Sequence, residues 1–252
     1  MIIGLPMSNY TMKYPFLILS CSLLLISSFT FAADDESAVN KITPYQPGIT
    51  MTRSVQAGIS PDEAIKILKA GNERFLSGNQ LNRNEQELIS ITSSGQFPLA
   101  NVVACMDSRS APEVVFDLSK GDIFVNRVAG NVIDKDILGG LEYGAKVVGA
   151  PLIVVMGHTN CGAVKGACDN VKLGNLTQLL DKIKPAIEMS KFGGKRDGKN
   201  IAFVNDVTEL NVDMSIKIIR GQSPILADLE KQGKIKIVGA MYDTSTGKVS
   251  WR

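Results

Sequence analysis

The chain has 252 residues, 27 of them basic and 25 acidic, for a formal net charge of +2, and 44% are hydrophobic. That apolar fraction excludes a disordered chain, and the near-balanced charge, with no basic stripe, argues against nucleic acid as a partner. One histidine and four cysteines are the scarce residues with the most chemistry to offer.

The first 33 residues stand apart. Lys13 is their only charged side chain, an apolar stretch runs from Phe16 to Phe31, and Ala32-Ala33 lead into Asp34-Asp35-Glu36. A charged start, an apolar middle and a small-residue exit describe a secretory signal. Cleavage after Ala33 would deliver the rest across the inner membrane, to the periplasm, with no stable membrane association. The other reading is an uncleaved anchor, because a spanning helix needs roughly 20 apolar residues. Ser20, Ser22, Ser27, Ser28 and Thr30 dilute the stretch and weigh against it. Cys21 lies inside the stretch with more Leu after it, which speaks against a lipoprotein site. Cleavage leaves Cys105, Cys161 and Cys168, an odd number that suits no disulfide framework.

Residues 34–59 are polar, contain Pro44 and Pro47, and read as an extended arm or linker. A helix then opens at Ser60-Pro61-Asp62-Glu63, with a cap, a proline at the first helical position and an acid to close the box. Ile65, Leu68, Phe75 and Leu76 follow at helical spacing until Gly78, a stripe that needs cover from the core or from a partner chain. From Leu99 the pattern changes. Leu99–Cys105, Ile123–Val128 and Leu152–Met156 are apolar at nearly every position, as in strands buried on both faces. Ile137–Val148 is helix-like, Ile183–Met189 is a helix that Pro185 breaks or starts, and Gly193–Lys199 reads as a mobile surface loop. Val207–Ile219 is amphipathic, with Leu210, Met214 and Ile218 on one side, and Ser223-Pro224 opens another helix. Ile235–Tyr242 is a fourth strand, and Thr244–Gly247 turns into Lys248–Trp251. This alternation predicts an α/β domain over residues 60–252, with a central, mainly parallel β-sheet flanked by helices and an N-terminal helical arm.

Ligands of such sheets gather at the carboxyl ends of the strands. Cys105 ends the first strand, His158 follows the third, and Cys161 lies in the turn after it. Two thiolates and one imidazole suit Zn²⁺, and three protein ligands leave the fourth position for water or substrate. Two alternatives stand at this point: a structural zinc site with Cys168 as fourth ligand, or a buried cysteine and histidine unrelated to each other. Asp107 and Arg109 alternate with Cys105, so an extended backbone would send all three to one side. Asp107 either becomes the fourth ligand or is held off the metal by a bidentate Arg109. The plainer reading of the two is a surface ion pair, worth little.

Together, Cys105-x-Asp107-x-Arg109, the run Gly121–Asn131, His158-x-x-Cys161-Gly162 and Gly239–Asp243 resemble the β-class carbonic anhydrases over roughly residues 60–250. The resemblance implies one Zn²⁺ per chain on Cys105, His158 and Cys161, with Asp107 and Arg109 as a catalytic dyad. The activity it implies is reversible hydration of carbon dioxide to bicarbonate and a proton, by attack of zinc-bound hydroxide. Gln96, Phe124, Tyr143 and Gly162 match residues that meet substrate or bicarbonate in the family. Tyr143 would act across the interface of a homodimer or higher even oligomer. Val102 and Ser110 stand where the bicarbonate-inhibited subgroup has Trp and Val, which implies the uninhibited subgroup. Met106 replaces a commoner Ser, and nothing explains it. Two other functions remain: a hydrolase of carbonyl sulfide or carbon disulfide, and a non-catalytic zinc-stabilised module, which would have no use for the dyad.

Overall fold

The computed structural model describes residues 45–252; the expected signal over 1–33 and the start of the 34–59 arm lie outside the described residues. Helices α1 (Arg53–Ala57), α2 (Pro61–Ser77) and α3 (Glu85–Thr92) precede strand β1 (Ala100–Ala104). Helix α4 (Pro112–Val115) and β2 (Ile123–Arg127) come next, then a 3₁₀ turn at Ala129–Asn131. Helix α5 (Lys135–Glu142) continues as a π-helical segment, Tyr143–Val148, before β3 (Leu152–His158). Four helices follow, α6 (Gly162–Cys168), α7 (Gly174–Asp181), α8 (Lys184–Met189) and α9 (Ile201–Gln222). Helix α10 (Pro224–Lys231), β4 (Lys236–Tyr242) and β5 (Val249–Trp251) complete the chain. The sheet runs β2-β1-β3-β4-β5, with the first four strands parallel and β5 antiparallel to β4.

Strands β1 and β3 are buried along their whole length, as continuous apolar runs require. Their side chains divide by the two-residue period of a strand. Val102, Ala104, Leu152, Val154 and Met156 pack with Leu68 of α2 and Phe116 after α4. Val103, Ile153 and Val155 face the other way, against Leu141 of α5, Ile216 of α9 and Leu226 of α10. Burying each such side chain contributes about 1.5–3 kcal/mol. Helix α9 lies almost on the sheet. A Cβ added at Gly157 would come within 2.8 Å of Val212 Cγ2, and one at Gly239 within 2.8 Å of Val212 Cγ1. Strand β2 is an edge strand, and Ile123 through Asn126 are only half-buried.

The N-terminal part departs from the expectation ahead of α2. Part of the supposed linker is core: Met51, Val55 and Ile59 are buried, Thr52 caps α1, and Gln56 Nε2 donates to Pro98 O at 2.8 Å. Those three residues recur every fourth position, a helical period masked by polar neighbours. Helix α2 begins and ends as expected. Ser60 Oγ accepts from Glu63 N at 3.2 Å, and Gly78 takes the left-handed conformation at φ 71°. Its apolar face takes its cover from the core, the first of the two expected partners: Ala64, Ile67 and Leu68 are buried, and only Leu76 of the expected stripe is exposed. The Gly193–Lys199 loop is also tied down, because Gly198 N donates to Asp169 Oδ1 at 2.7 Å and Arg196 bonds the carbonyls of Ile187 and Ser190.

Candidate active site

Parallel strands put their carboxyl ends together, and the adjacent β1 and β3 deliver Cys105 and His158 to one place. Cys161 caps the start of α6, three residues on. Cys105 Sγ and Cys161 Sγ lie 3.9 Å apart, and the ligand atoms of Cys105, His158 and Cys161 are all within 4.8 Å of one another. All three residues are buried. Cys168 is not in the cluster; burial pushes its thiol up to about 11.

The donors suit a divalent soft-to-borderline cation. His158 Nδ1 lies 2.9 Å from Thr159 O, which places the ring proton there, while Nε2 is buried without a partner among the described residues. A buried, unpartnered imidazole nitrogen is costly, and coordination to a metal would satisfy it. The close contact of the two sulfurs makes Cys105 the easier thiol to ionise and Cys161 much the harder. Backbone aids the thiolate, since Gly130 N donates to Cys105 Sγ at 3.3 Å. Gly130 sits at φ 68°, and a Cβ there would meet Ile183 Cδ1 at 2.8 Å.

Asp107 and Arg109 do pair beside this cluster, but not through an extended backbone. Asp107 Oδ1 accepts from its neighbour's backbone, Arg109 N, at 2.9 Å, and Ser110 N bonds Asp107 O at 3.1 Å, so residues 107–110 form a tight turn. A carboxylate that bonds the backbone two residues on favours such a turn over a continued strand. Within it Arg109 grips Asp107 with Nε to Oδ1 at 3.0 Å and Nη2 to Oδ2 at 2.8 Å. This grip holds the Asp107 carboxyl well below the usual carboxylate range. Asp107 Oδ2 is 3.8 Å from His158 Nε2, so the carboxylate faces the donors. Ser110, 1% exposed, steadies the turn with a bond from Oγ to Asp107 O at 3.1 Å.

The sequence reading missed Arg127 at the end of β2. Its Nε donates to Cys105 O at 3.1 Å, and its Nη2 donates to Asp107 O, so one guanidinium holds the backbone on both sides of Met106. Its place within Gly121–Asn131 was the available signal. Gly162, exposed, opens α6 beside the cluster with nothing within 4 Å of where a Cβ would be.

Gln96, Phe124 and Tyr143 lie elsewhere on the chain. Phe124 and Tyr143 have ring centroids 6.0 Å apart, and Gln96 and Tyr143 line a shallow cavity of about 350 Å³ with Arg53, Phe97 and Val147. Phe124 precedes Arg127 by three residues on β2, about 10 Å along a strand. Among the described residues, no hydrogen bond or ring contact joins these three to the Cys105–His158–Cys161 cluster.

The carbonic anhydrase family model matches residues 100–249, which contain the cluster and the dyad. The chain belongs to the β-class carbonic anhydrases. It is 34% identical over 199 residues to carbonic anhydrase 2 of Mycobacterium tuberculosis, covering 77% of this chain and 93% of that protein. It is 34% identical over 200 residues to a carbonic anhydrase of Mycolicibacterium smegmatis, covering 77% and 94%. Its fold matches the β-carbonic anhydrase CafA of Aspergillus fumigatus at a TM-score of 0.60 and 27% identity, over 66% of this chain and 81% of that one. A β-carbonic anhydrase of Coccomyxa in complex with acetazolamide matches at 0.59 and 26% identity, over 64% and 75%. As a carbonic anhydrase the chain is an enzyme of the carbon dioxide–bicarbonate interconversion. The mostly parallel sheet flanked by helices is the α/β fold of those neighbours.

Proposed function

We propose that the chain holds one Zn²⁺ on Cys105 Sγ, His158 Nε2 and Cys161 Sγ, and hydrates carbon dioxide there with Asp107 and Arg109 as catalytic residues. The observation that carries this is a carboxylate clamped by Arg109 and facing three buried donors, one of them the unpartnered His158 Nε2. Zinc supplies Lewis acidity that makes a water nucleophilic near neutral pH. Asp107, kept ionised by Arg109, would accept a hydrogen bond from that nucleophile and so aim its lone pair at the carbon of the substrate. Both carboxylate oxygens bond Arg109, which would keep Asp107 from serving as a fourth ligand. The bond from Ser110 Oγ to Asp107 O supports that arrangement, while the uninhibited subgroup rests on the identities of Val102 and Ser110. The only histidine is a ligand, so the released proton leaves through buffer or water rather than an imidazole shuttle.

The separated patch of Gln96, Phe124 and Tyr143 supports a homodimer or higher even oligomer in which one protomer's patch completes its partner's pocket. Tyr143 is 48% and Val147 71% exposed, next to the half-buried edge strand β2, and a second copy would cover all of these. The catalytic domain in this reading takes in α1 as well as residues 60–252, because Met51, Val55 and Ile59 lie in its core. The apolar segment before Asp34 acts as a cleaved export signal, which makes the enzyme periplasmic.

The direct test is removal and return of zinc. Purified protein should contain one zinc per chain, lose hydration activity on chelation and regain it with one equivalent of zinc. Full activity in metal-free protein would refute the assignment.

A further inference from the structure

Helix α9 looks amphipathic by its apolar residues, but its sheet-facing side also carries a polar stripe. Asn205, Thr208, Asn211 and Ser215 recur three or four residues apart and so share one face. Thr208, Asn211 and Ser215 are 0%, 0% and 1% exposed. Burying an amide costs free energy unless it forms hydrogen bonds, so the partners of these side chains indicate what the stripe does.

Three of those bonds end on the backbone of the metal-binding loops, the weakest being Ser215 Oγ to Asn131 O at 3.5 Å. Asn205 Oδ1 accepts from Asn160 N at 2.9 Å, and Asn160, at φ 60°, sits between His158 and Cys161. Asn211 Nδ2 donates to Gly130 O at 2.8 Å, and the same Gly130 donates its N–H to Cys105 Sγ. One rigid helix thus reaches the loop that supplies two ligands and the turn that bonds the third. Thr208 does not take part, because its hydroxyl bonds Val204 O of the same helix at 2.8 Å.

We infer that Asn211 and Asn205 are positioning residues for the metal centre. Asn211 aims the Gly130 amide at the Cys105 thiolate, and Asn205 sets the His158–Cys161 loop. This rests on the zinc reading above and extends it to the outer shell. An N–H bond to a coordinating thiolate withdraws charge from sulfur and fixes its direction, and loss of such outer partners typically weakens metal binding by 10–100-fold. No covalent step is involved.

The test compares wild-type protein with Asn211→Leu, Asn205→Ala and Thr208→Val, each loaded with cobalt(II) and, separately, titrated with zinc against a chelator. In Asn211→Leu the thiolate-to-cobalt absorption should move to lower energy, because the sulfur becomes more electron-rich, and zinc should bind about tenfold more weakly or worse. Asn205 is only half-buried, so Asn205→Ala should fold readily and also bind zinc more weakly. Thr208→Val removes an equally buried polar group from the same stripe and should leave both absorption and affinity as in wild type. Wild-type absorption and affinity in Asn211→Leu would overturn the inference, as would equal shifts in Thr208→Val. If Asn211→Leu does not fold, unchanged zinc affinity in Asn205→Ala overturns it alone. A wild-type chain that takes up neither metal refutes the zinc reading itself, and the positioning role with it.

Discussion

Asp122, which opens the run into β2, lets the electrostatics of this fold be tested without touching the metal. It is 7% exposed, accepts a bond from Ser119 N to Oδ2 at 2.8 Å, and has no ion-pair partner among the described residues. Burial raises its carboxyl from 3.8 to about 6. The folded pKa is above the unfolded one, so the folded state binds the proton more tightly. The stabilisation is therefore complete below about pH 4 and is lost as pH rises through about 6. A gap of about 2 pH units corresponds to roughly 3 kcal/mol in total, of which about 2 kcal/mol falls between pH 4.5 and 7.5. Asp122→Asn keeps an oxygen to accept from Ser119 N and removes the titration. Urea unfolding of both proteins at equal concentration, at those two pH values, measures the difference between the two mutational effects. The contribution of amide packing is common to both pH values and cancels. Asp122→Asn should gain about 2 kcal/mol on the wild type between pH 4.5 and 7.5. An unchanged mutational effect, or one that shifts toward the wild type at pH 7.5, would refute the reasoning.

Other predictions concern the site. Arg109→Ala should keep its zinc by elemental analysis while stopped-flow hydration falls at least tenfold, because Asp107 is freed toward the donors; activity within twofold of the parent contradicts the dyad. Cys161→Ser should lose zinc and Cys168→Ser should keep it, since a hydroxyl poorly replaces a thiolate and Cys168 lies outside the cluster. Val147→Asp places a charge on the exposed face beside Tyr143 and should lower both sedimentation coefficient and activity, whereas a fully active monomer would remove Gln96, Phe124 and Tyr143 from the site.

The strands and the metal ligands were legible because their signals are local. Nearly continuous apolar runs mark β1 and β3, and a single histidine three residues before a cysteine has few other uses. Helix α1 was hidden because three buried residues among polar neighbours look like a linker when composition is averaged. Helices α3 and α7 were passed over for a related reason: each is eight residues long, with only Leu88 and Leu180 buried. Of the two covers open to the α2 stripe, core or partner chain, the core supplies most, because Gly71 brings that helix against the backbone of Phe116. The Asp107–Arg109 contact was expected but its geometry was not, since a side-chain bond to the backbone turned the chain where alternation suggested a strand. Arg127, Asn205 and Asn211 escaped notice because they act on backbone atoms far along the chain, which leave no spacing pattern.

The central claim is that Asp107, clamped by Arg109 beside the three donors, carries the hydration chemistry. Stopped-flow carbon dioxide hydration by wild type and Asp107→Asn, each verified to hold one zinc per chain, tests it most directly. Wild type should accelerate hydration far above buffer, and Asp107→Asn should lose at least a hundredfold in kcat/KM, about 2.7 kcal/mol of barrier. Zinc-replete Asp107→Asn as active as wild type would contradict the account.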